Sequence, residues 1–99
     1  MSEVVLQNLK MLILTCPGEK VMNPKFGVGL RNYLFENFPE DEIIGQIHEQ
    51  VSFFMPFLEV LDVRILRRES NVYLTVVAFI KPLSLKVVLD IEQNSNSGN

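Results

Sequence analysis

The 99-residue chain has few of the side chains that serve in catalysis and metal binding, with one cysteine and one histidine, and it has no tryptophan. A single cysteine, Cys16, excludes an internal disulfide and a cysteine-rich metal site, and it fits a reducing compartment. The 9 basic residues are outnumbered by 12 acidic ones, so nucleic acid is disfavoured as a partner. Because no apolar run reaches the roughly 18–20 residues of a membrane span and the N-terminus lacks a basic signal start, we expect a cytoplasmic domain with no membrane contact.

Helical periodicity covers the first half of the chain. Apolar residues between Val5 and Cys16 fall on one face at about 100° per residue, which predicts a helix from Ser2 to about Thr15. Further helices are predicted over 28–37 and from Glu40, in an acidic first turn, to about Met55. Three apolar residues of the first helix lie off its core face and favour a second contact surface: Val4, Met11 and Leu14.

From about residue 61 the apolar residues alternate with period two, which predicts three strands joined as an antiparallel meander. The expected fold class is α+β, with the N-terminal helices packed on one face of a three-stranded antiparallel sheet. We expect one domain over 1–93 and a disordered polar tail over 94–99. The middle strand is apolar on both sides, so one sheet face and the sheet edges are expected to be covered by another chain.

Catalytic chemistry is poorly supported. His48 has no predicted nucleophile or orienting group beside it, and Cys16 is expected to pack as a small apolar side chain. Glu19 and Glu36 could in principle pair as glycosidase carboxylates, but nothing in the sequence fixes their separation. We therefore expect no catalytic, cofactor or metal site and no small-molecule substrate.

The segment from Cys16 to Gly29 is a loop of about 14 residues rich in proline and glycine, and its apolar residues predict docking on the core or on a partner. It reads Leu14-Thr15-Cys16-Pro17-Gly18-Glu19-Lys20-Val21-Met22-Asn23-Pro24-Lys25-Phe26-Gly27, followed by Gly29-Leu30 and Leu34-Phe35-Glu36. This pattern resembles the baseplate wedge family of contractile tails. That family includes the phage baseplate assembly protein W, a small wedge protein once labelled a baseplate lysozyme, and the type VI secretion baseplate protein E.

Two positions depart from the family pattern. Lys25 stands where many members have an acid before Phe-Gly, and Met55-Pro56-Phe57 stands where members often have Glu-Pro-Arg at the end of the long helix. An ionic contact at this corner is therefore replaced by an apolar one. Whether the machine is a phage tail, a tailocin, an extracellular injection system or a type VI system stays open.

The resemblance implies a structural, non-enzymatic protein. It would clamp larger wedge subunits around the tail hub and tube initiator in a six-fold baseplate and template the sheath subunit by strand addition. It would assemble in the cytoplasm and end in the baseplate of the particle. The alternatives are a peptidoglycan-cleaving, lysozyme-like enzyme and a cytosolic α+β adaptor unrelated to tails.

Two sets of contact residues follow from these expectations. The predicted wedge-partner interface is Pro17, Gly18, Glu19, Lys20, Met22, Pro24, Phe26, Gly27, Leu30, Phe35, Glu36, Met55, Pro56 and Phe57. The predicted sheath-strand interface is Tyr73, Thr75, Val77, Phe79, Leu85, Val87 and Leu89.

Overall fold

A computed structural model of the chain describes residues 2–19, 25–35 and 39–94, without the side chains of residues 34, 35 and 94. Three helices come first: α1 (Ser2–Leu14), α2 (Leu30–Phe35) and α3 (Glu40–Phe54). Three strands follow: β1 (Leu58–Arg68), β2 (Asn71–Ile80) and β3 (Leu85–Asn94), with a single 3-10 turn over Lys81–Leu83. The predicted α+β class and the antiparallel meander are confirmed, because the sheet order is β1-β2-β3 with both pairs antiparallel.

The helices pack on one face of the sheet and enclose one apolar core. β2 shows the predicted alternation, since Val72, Leu74, Val76, Ala78 and Ile80 are all buried. From the helices the core receives Val5, Leu9, Leu12 and Ile13 of α1 and Ile43, Ile47 and Val51 of α3. Burial of these aliphatic side chains is the main force that holds the helices on the sheet.

The second helix begins two residues later than predicted. The backbone N–H of Val28 donates to the carbonyl of Leu12 at 2.9 Å, and Gly29 has a positive φ of 70°. The positive φ of Gly29 is incompatible with a helix that already runs through this residue. Residues 36 and 37, the end of the predicted helix, lie outside the described residues.

The proline at the end of α3 acts as predicted. Met55 donates its N–H to Val51 at 2.8 Å, and Leu58 donates to Met55 at 2.9 Å, so the chain turns directly from helix into strand. Pro56 lies inside this turn, whose hydrogen bonds are donated by Met55 and Leu58, so the N–H that proline lacks is not needed there. β1 therefore starts at Leu58, immediately beneath the helix end.

Candidate interaction surfaces

The turn after α1 is closed by hydrogen bonds of Glu19. Its backbone N–H donates to the carbonyl of Cys16 at 3.1 Å, and its side-chain Oε1 accepts the N–H of Cys16. Gly18, inside the turn, has a φ of 95° that glycine adopts most readily. The carboxylate predicted to reach a partner is thus also used within the chain. Pro17 and Gly18 are exposed beside it.

Cys16 is half-buried next to this turn, and its thiol lies within hydrogen-bonding reach of Glu19 and Asn32. Burial raises the pKa of its thiol above the ordinary value, and the nearby Glu19 carboxylate raises it further, while Arg31 acts in the opposite direction. The thiol is therefore protonated at neutral pH and a poor nucleophile.

The Phe-Gly step of the motif is docked on the protein's own core. Gly27 has a φ of 116°, and a Cβ on it would lie 2.1 Å from the carbonyl oxygen of Thr15. The Phe26 ring packs edge-to-face on Phe54 of α3, with the ring centroids 5.0 Å apart. For residues 25–29 of the predicted loop, docking is confirmed, and it is docking on the chain's own core.

Gln50 of α3 clamps this loop segment and was not predicted. Its Oε1 accepts the N–H of Gly27 at 2.8 Å, and its Nε2 donates to the carbonyl of Lys25 at 3.1 Å. Because these bonds go to the backbone, the side chain at position 25 can be lysine instead of an acid without loss of the clamp. A glutamine on a helix carries no sequence signal for such a contact, since the partner backbone is about 25 residues away.

An aromatic corner lies where α3 ends. Phe53 is 76% exposed and stacks edge-to-face on Phe54, with the ring centroids 4.8 Å apart. Phe57 is 37% exposed, and Pro56 beside it is exposed while its carbonyl accepts a hydrogen bond from Lys81 Nζ at 3.2 Å. An exposed phenylalanine cluster of this kind is typical of a protein contact surface.

Several residues of the predicted wedge-partner interface belong to the interior or fall outside the described residues. Met55 is 6% exposed and Leu30 is 1% exposed, so both are core residues. Four positions lie outside the described residues, and of Phe35 only the backbone, in α2, is described. Those four are Lys20, Met22, Pro24 and Glu36.

The sheet face turned away from the helices carries the β2 residues predicted to meet the sheath. These residues are Tyr73, Thr75, Val77 and Phe79. They are half-buried, and no helix of the described residues packs over them. Their cross-strand neighbours share this face, so Leu66 of β1 and Val88 of β3, 50% and 49% exposed, extend its apolar centre. Thr75 Oγ1 and Asp90 Oδ1 are hydrogen-bonded across β2 and β3 at 2.8 Å.

The predicted sheath-strand set mixes the two faces of the sheet, because its β2 residues lie on the open face and its β3 residues lie on the core-facing row. Val87 and Leu89 are each 8% exposed and belong to the core, and Leu85, opposite the buried Ile80, is 41% exposed at the end of the same row. The alternation was predicted, yet residues of the core-facing row were included in the contact set. Val88 lies on the opposite row, beside Val77, and is the apolar side chain that β3 contributes to the open face.

Strand addition to this sheet can occur only at its edges. β2 is paired with both neighbours along its length, so it offers no free backbone groups to another chain. The β1 pairing contains a bulge between Val60 and Asp62, and Asp62 forms an ion pair with Arg64 at 2.9 Å. The β2–β3 pairing is continuous from Asn71–Asn94 to Ile80–Leu85. Bulges and charges discourage pairing, so β3 is the more receptive edge.

Of the catalytic candidates considered above, His48 borders a cleft that Glu59 and Lys81 also line, and Glu19 is engaged in the turn after α1. Glu36 lies outside the described residues. Within 2–19, 25–35 and 39–94, no three histidine, cysteine or acidic side chains converge in a way that could hold a metal ion. The helices of the same segments are too short or too polar to cross a membrane.

The architecture is that of an α+β interaction module with an open sheet edge and an aromatic corner. A profile of the baseplate wedge protein gp25 family matches residues 1–91. The chain belongs to this family, as its motif indicated, and has a structural role in the baseplate of a phage tail or a related contractile system.

The chain also resembles solved structures, among them the two that follow. A protein of Geobacter sulfurreducens described as a tail lysozyme is 20% identical, with a TM-score of 0.79 over 94% of this chain and 89% of that one; at this identity the likeness concerns the fold alone. A chain of the six-fold symmetrised baseplate of the anti-feeding prophage is 29% identical, with a TM-score of 0.64 over 80% of this chain and 68% of that one. No curated protein matches the chain.

Proposed function

We propose that the protein is a two-sided connector of the baseplate: its aromatic corner and the 17–36 motif contact the larger wedge subunits near the hub, and β3 accepts a strand from the sheath subunit. The similarity to a chain of a six-fold symmetrised baseplate supports the assembly context. The protein would assemble in the cytoplasm before it enters the particle.

The observation that supports strand addition by the sheath subunit is the free edge of β3. Ten consecutive residues pair with β2 on one side in an uninterrupted register, and the described residues place no strand on the other side. An added strand would gain backbone hydrogen bonds along this edge, while side chains of alternate residues would set its register.

The wedge side is supported by exposed apolar area at the end of α3. Phe53 and Phe57 present their rings to solvent although the neighbouring Met55 is in the core. Large aromatic side chains are enriched in the energetically dominant centres of interfaces. An apolar contact at this corner fits the replacement of the Glu-Pro-Arg pattern by Met55-Pro56-Phe57.

The edge proposal is tested by a matched pair of substitutions, Val88→Lys on β3 and Leu66→Lys on β1. Both side chains are half exposed and lie on the open face at opposite edges of the sheet. The same-face neighbours on the strand are Lys86 and Asp90 for Val88, and Arg64 and Arg68 for Leu66. We expect Val88→Lys to reduce the fraction of particles with full-length sheath several-fold, because an edge lysine opposes strand pairing. Leu66→Lys should leave sheath length near wild type.

The readout is sheath length by electron microscopy, with the amount of the chain in purified particles measured alongside. Equal sheath length in both variants would contradict strand addition at β3. Sheath loss with Leu66→Lys alone would assign the edge to β1 instead. Deletion of β3 is not a clean alternative, because Val87, Leu89 and Ile91 belong to the core and their loss would destabilise the domain.

A further inference from the structure

The free edge of β3 is chemically self-complementary, a property that strand addition by another subunit does not require. On either side of Val88 the residues form complementary pairs. Val87 and Leu89 are both apolar and buried, and Lys86 and Asp90 carry opposite charges and are both exposed. The described residues place no strand beside this edge, and native proteins usually protect or cover an edge of this length.

Two β3 strands can pair antiparallel about a two-fold axis beside Val88. In that register Val88 would lie opposite its own copy, and Lys86 would lie opposite Asp90 of the second copy. The symmetry repeats the charged contact, so the pairing would form two cross-strand ion pairs. Within the described residues of a single chain neither side chain has an ion-pair partner, and Asp90 uses one carboxylate oxygen to accept a hydrogen bond from Thr75.

The apolar residues match in the same register. On the helix-bearing side of the sheet, Val87 would lie opposite Leu89 of the second copy. Leu85, 41% exposed, would lie opposite Ile91 and gain an apolar neighbour. On the open side the two Val88 side chains, each 49% exposed in the single chain, would cover one another. The joined sheet would therefore continue both faces of β3.

Other registers of the same strand lose this match. A two-fold axis beside Lys86 or Asp90 would place that charge opposite its own copy. An axis beside Leu89 would set Val88 against Asp90, and an axis beside Val87 would set Val88 against Lys86. Only the register about Val88 pairs opposite charges with each other and apolar residues with each other along the strand.

The opposite edge of the sheet is less suitable for self-pairing. β1 also has complementary residues about Val63, but the bulge between Val60 and Asp62 interrupts a regular ladder there. Asp62 already forms an ion pair with Arg64 of its own chain. Because bulges and charges discourage strand pairing, self-pairing is expected at β3.

We propose that the unassembled chain forms a two-fold dimer through antiparallel pairing of its β3 strands, so that a second copy covers this edge. One strand from each copy gives a contact at the small end of specific interfaces, below roughly 1,200 Å², so the dimer is weak and reversible. The same edge cannot hold a second copy and a sheath strand at once. Self-pairing would therefore keep the edge covered until the chain enters the baseplate, and this part of the inference rests on the proposed function.

The first test measures the mass of the purified full-length chain by analytical ultracentrifugation between about 5 and 500 µM, the range in which a small interface associates. We expect the average mass to rise with concentration from that of one chain, 11.4 kDa, towards twice that value. A single-chain mass at every concentration would overturn the inference.

The second test exchanges the charges that the register brings together. Lys86→Glu would set acidic side chains opposite each other at both symmetric contacts, so we expect dimerisation about tenfold weaker. The double variant Lys86→Glu with Asp90→Lys restores opposite charges across the dimer, and its dissociation constant should return to within about threefold of wild type. Arg64→Glu on β1 makes the same change of net charge and is the control, with wild-type association expected.

Several results of the charge exchange would contradict the proposal. Wild-type dimerisation of Lys86→Glu would do so, and so would a double variant as weak as the single one. Equal weakening by Arg64→Glu would place the contact on β1 or on the open face instead of the β3 edge. Circular dichroism and thermal melting check that all the variants are folded.

The third test uses Val88→Cys in a chain that also carries Cys16→Ala. The Cα atoms of directly opposed residues in an antiparallel pair lie about 4.5–5.5 Å apart, within the range that a disulfide bridges. On mild oxidation we expect about fivefold more disulfide-linked dimer than from Leu66→Cys on β1 in the same background. Equal crosslinking from both positions would count against pairing at β3.

These measurements are made on the purified chain, so they do not depend on the baseplate role. A single-chain mass combined with a shortened sheath in Val88→Lys would overturn the dimer and leave strand addition intact. A dimer combined with normal sheath in Val88→Lys would support self-pairing and contradict strand addition at β3. The two failures are thereby distinguished.

Discussion

At the scale of single residues, the loop that carries the family motif is held by contacts made to its backbone. Gln50 bonds to Lys25 and Gly27, Leu12 bonds to Val28, and Gly27 passes close to Thr15. The glycine of the motif is explained by this close approach, since any side chain there would collide with the end of α1. The motif thus has a structural role in positioning the loop, whatever else it contacts.

We predict that Gln50→Ala lowers the free energy of unfolding by about 1–2 kcal/mol, because two hydrogen bonds, one of them partly buried, are lost. Gln50→Glu should have a smaller effect, since it retains the acceptor for Gly27 and loses only the donor to Lys25. Urea unfolding followed by circular dichroism measures both. Gln46→Ala, one turn earlier on α3, is the control; an equal loss there would show that the clamp contributes nothing particular.

At the scale of elements, α3 serves two purposes at once. One side supplies Ile43, Ile47 and Val51 to the core, and its C-terminal end presents Phe53 to solvent beside Phe54. Pro56 then turns the chain directly into β1. The aromatic corner is therefore attached directly to a helix whose other side is buried in the core.

We predict that Phe53→Ala reduces incorporation of the chain into particles several-fold while its stability changes by no more than about 0.5 kcal/mol. The side chain is 76% exposed, so its removal costs binding area but little core packing. Thermal melting and quantitative immunoblotting of purified particles separate the two effects. Leu61→Ala, also at an exposed apolar residue, is the control; unchanged incorporation of Phe53→Ala would remove the corner from the proposed interface.

At the scale of the whole molecule, exposed apolar area is distributed over the aromatic corner and the open sheet face. Exposed apolar patches on a small domain mark contacts with other proteins, and within a large assembly such patches are covered by neighbouring subunits. The likeness to a protein described as a tail lysozyme does not change this interpretation, because at 20% identity it concerns the fold.

We predict that the purified chain, free of phage endolysin, does not lower the turbidity of a peptidoglycan suspension, with hen egg-white lysozyme as the positive control. The reason is that glycoside hydrolysis uses two carboxylates at a defined separation, one of them with a raised pKa. Glu19, one of the two carboxylates considered for that role, is engaged in a surface turn. Measurable cleavage that Glu19→Gln abolishes would show that the chain is an enzyme.

Much of the fold could be predicted because it follows from local rules. The alternation of β2 and the amphipathic stripe of α1 specified their buried faces, and Pro56 specified where α3 ends. The contact residues were less accessible to such rules. Met55 and Leu30 were assigned to an interface yet lie in the core, because the surrounding elements enclose them in a way that periodicity does not reveal.

The sequence by itself determined the fold class, the order of the elements and the family, because these depend on periodicity, turn residues and a motif with fixed spacing. The tertiary structure alone decided which surfaces are open. It brought Gln50 to the loop and, among the described residues, left the outer edge of β3 without a paired strand. Each of these results from packing between residues distant along the chain, and no local pattern encodes such distances.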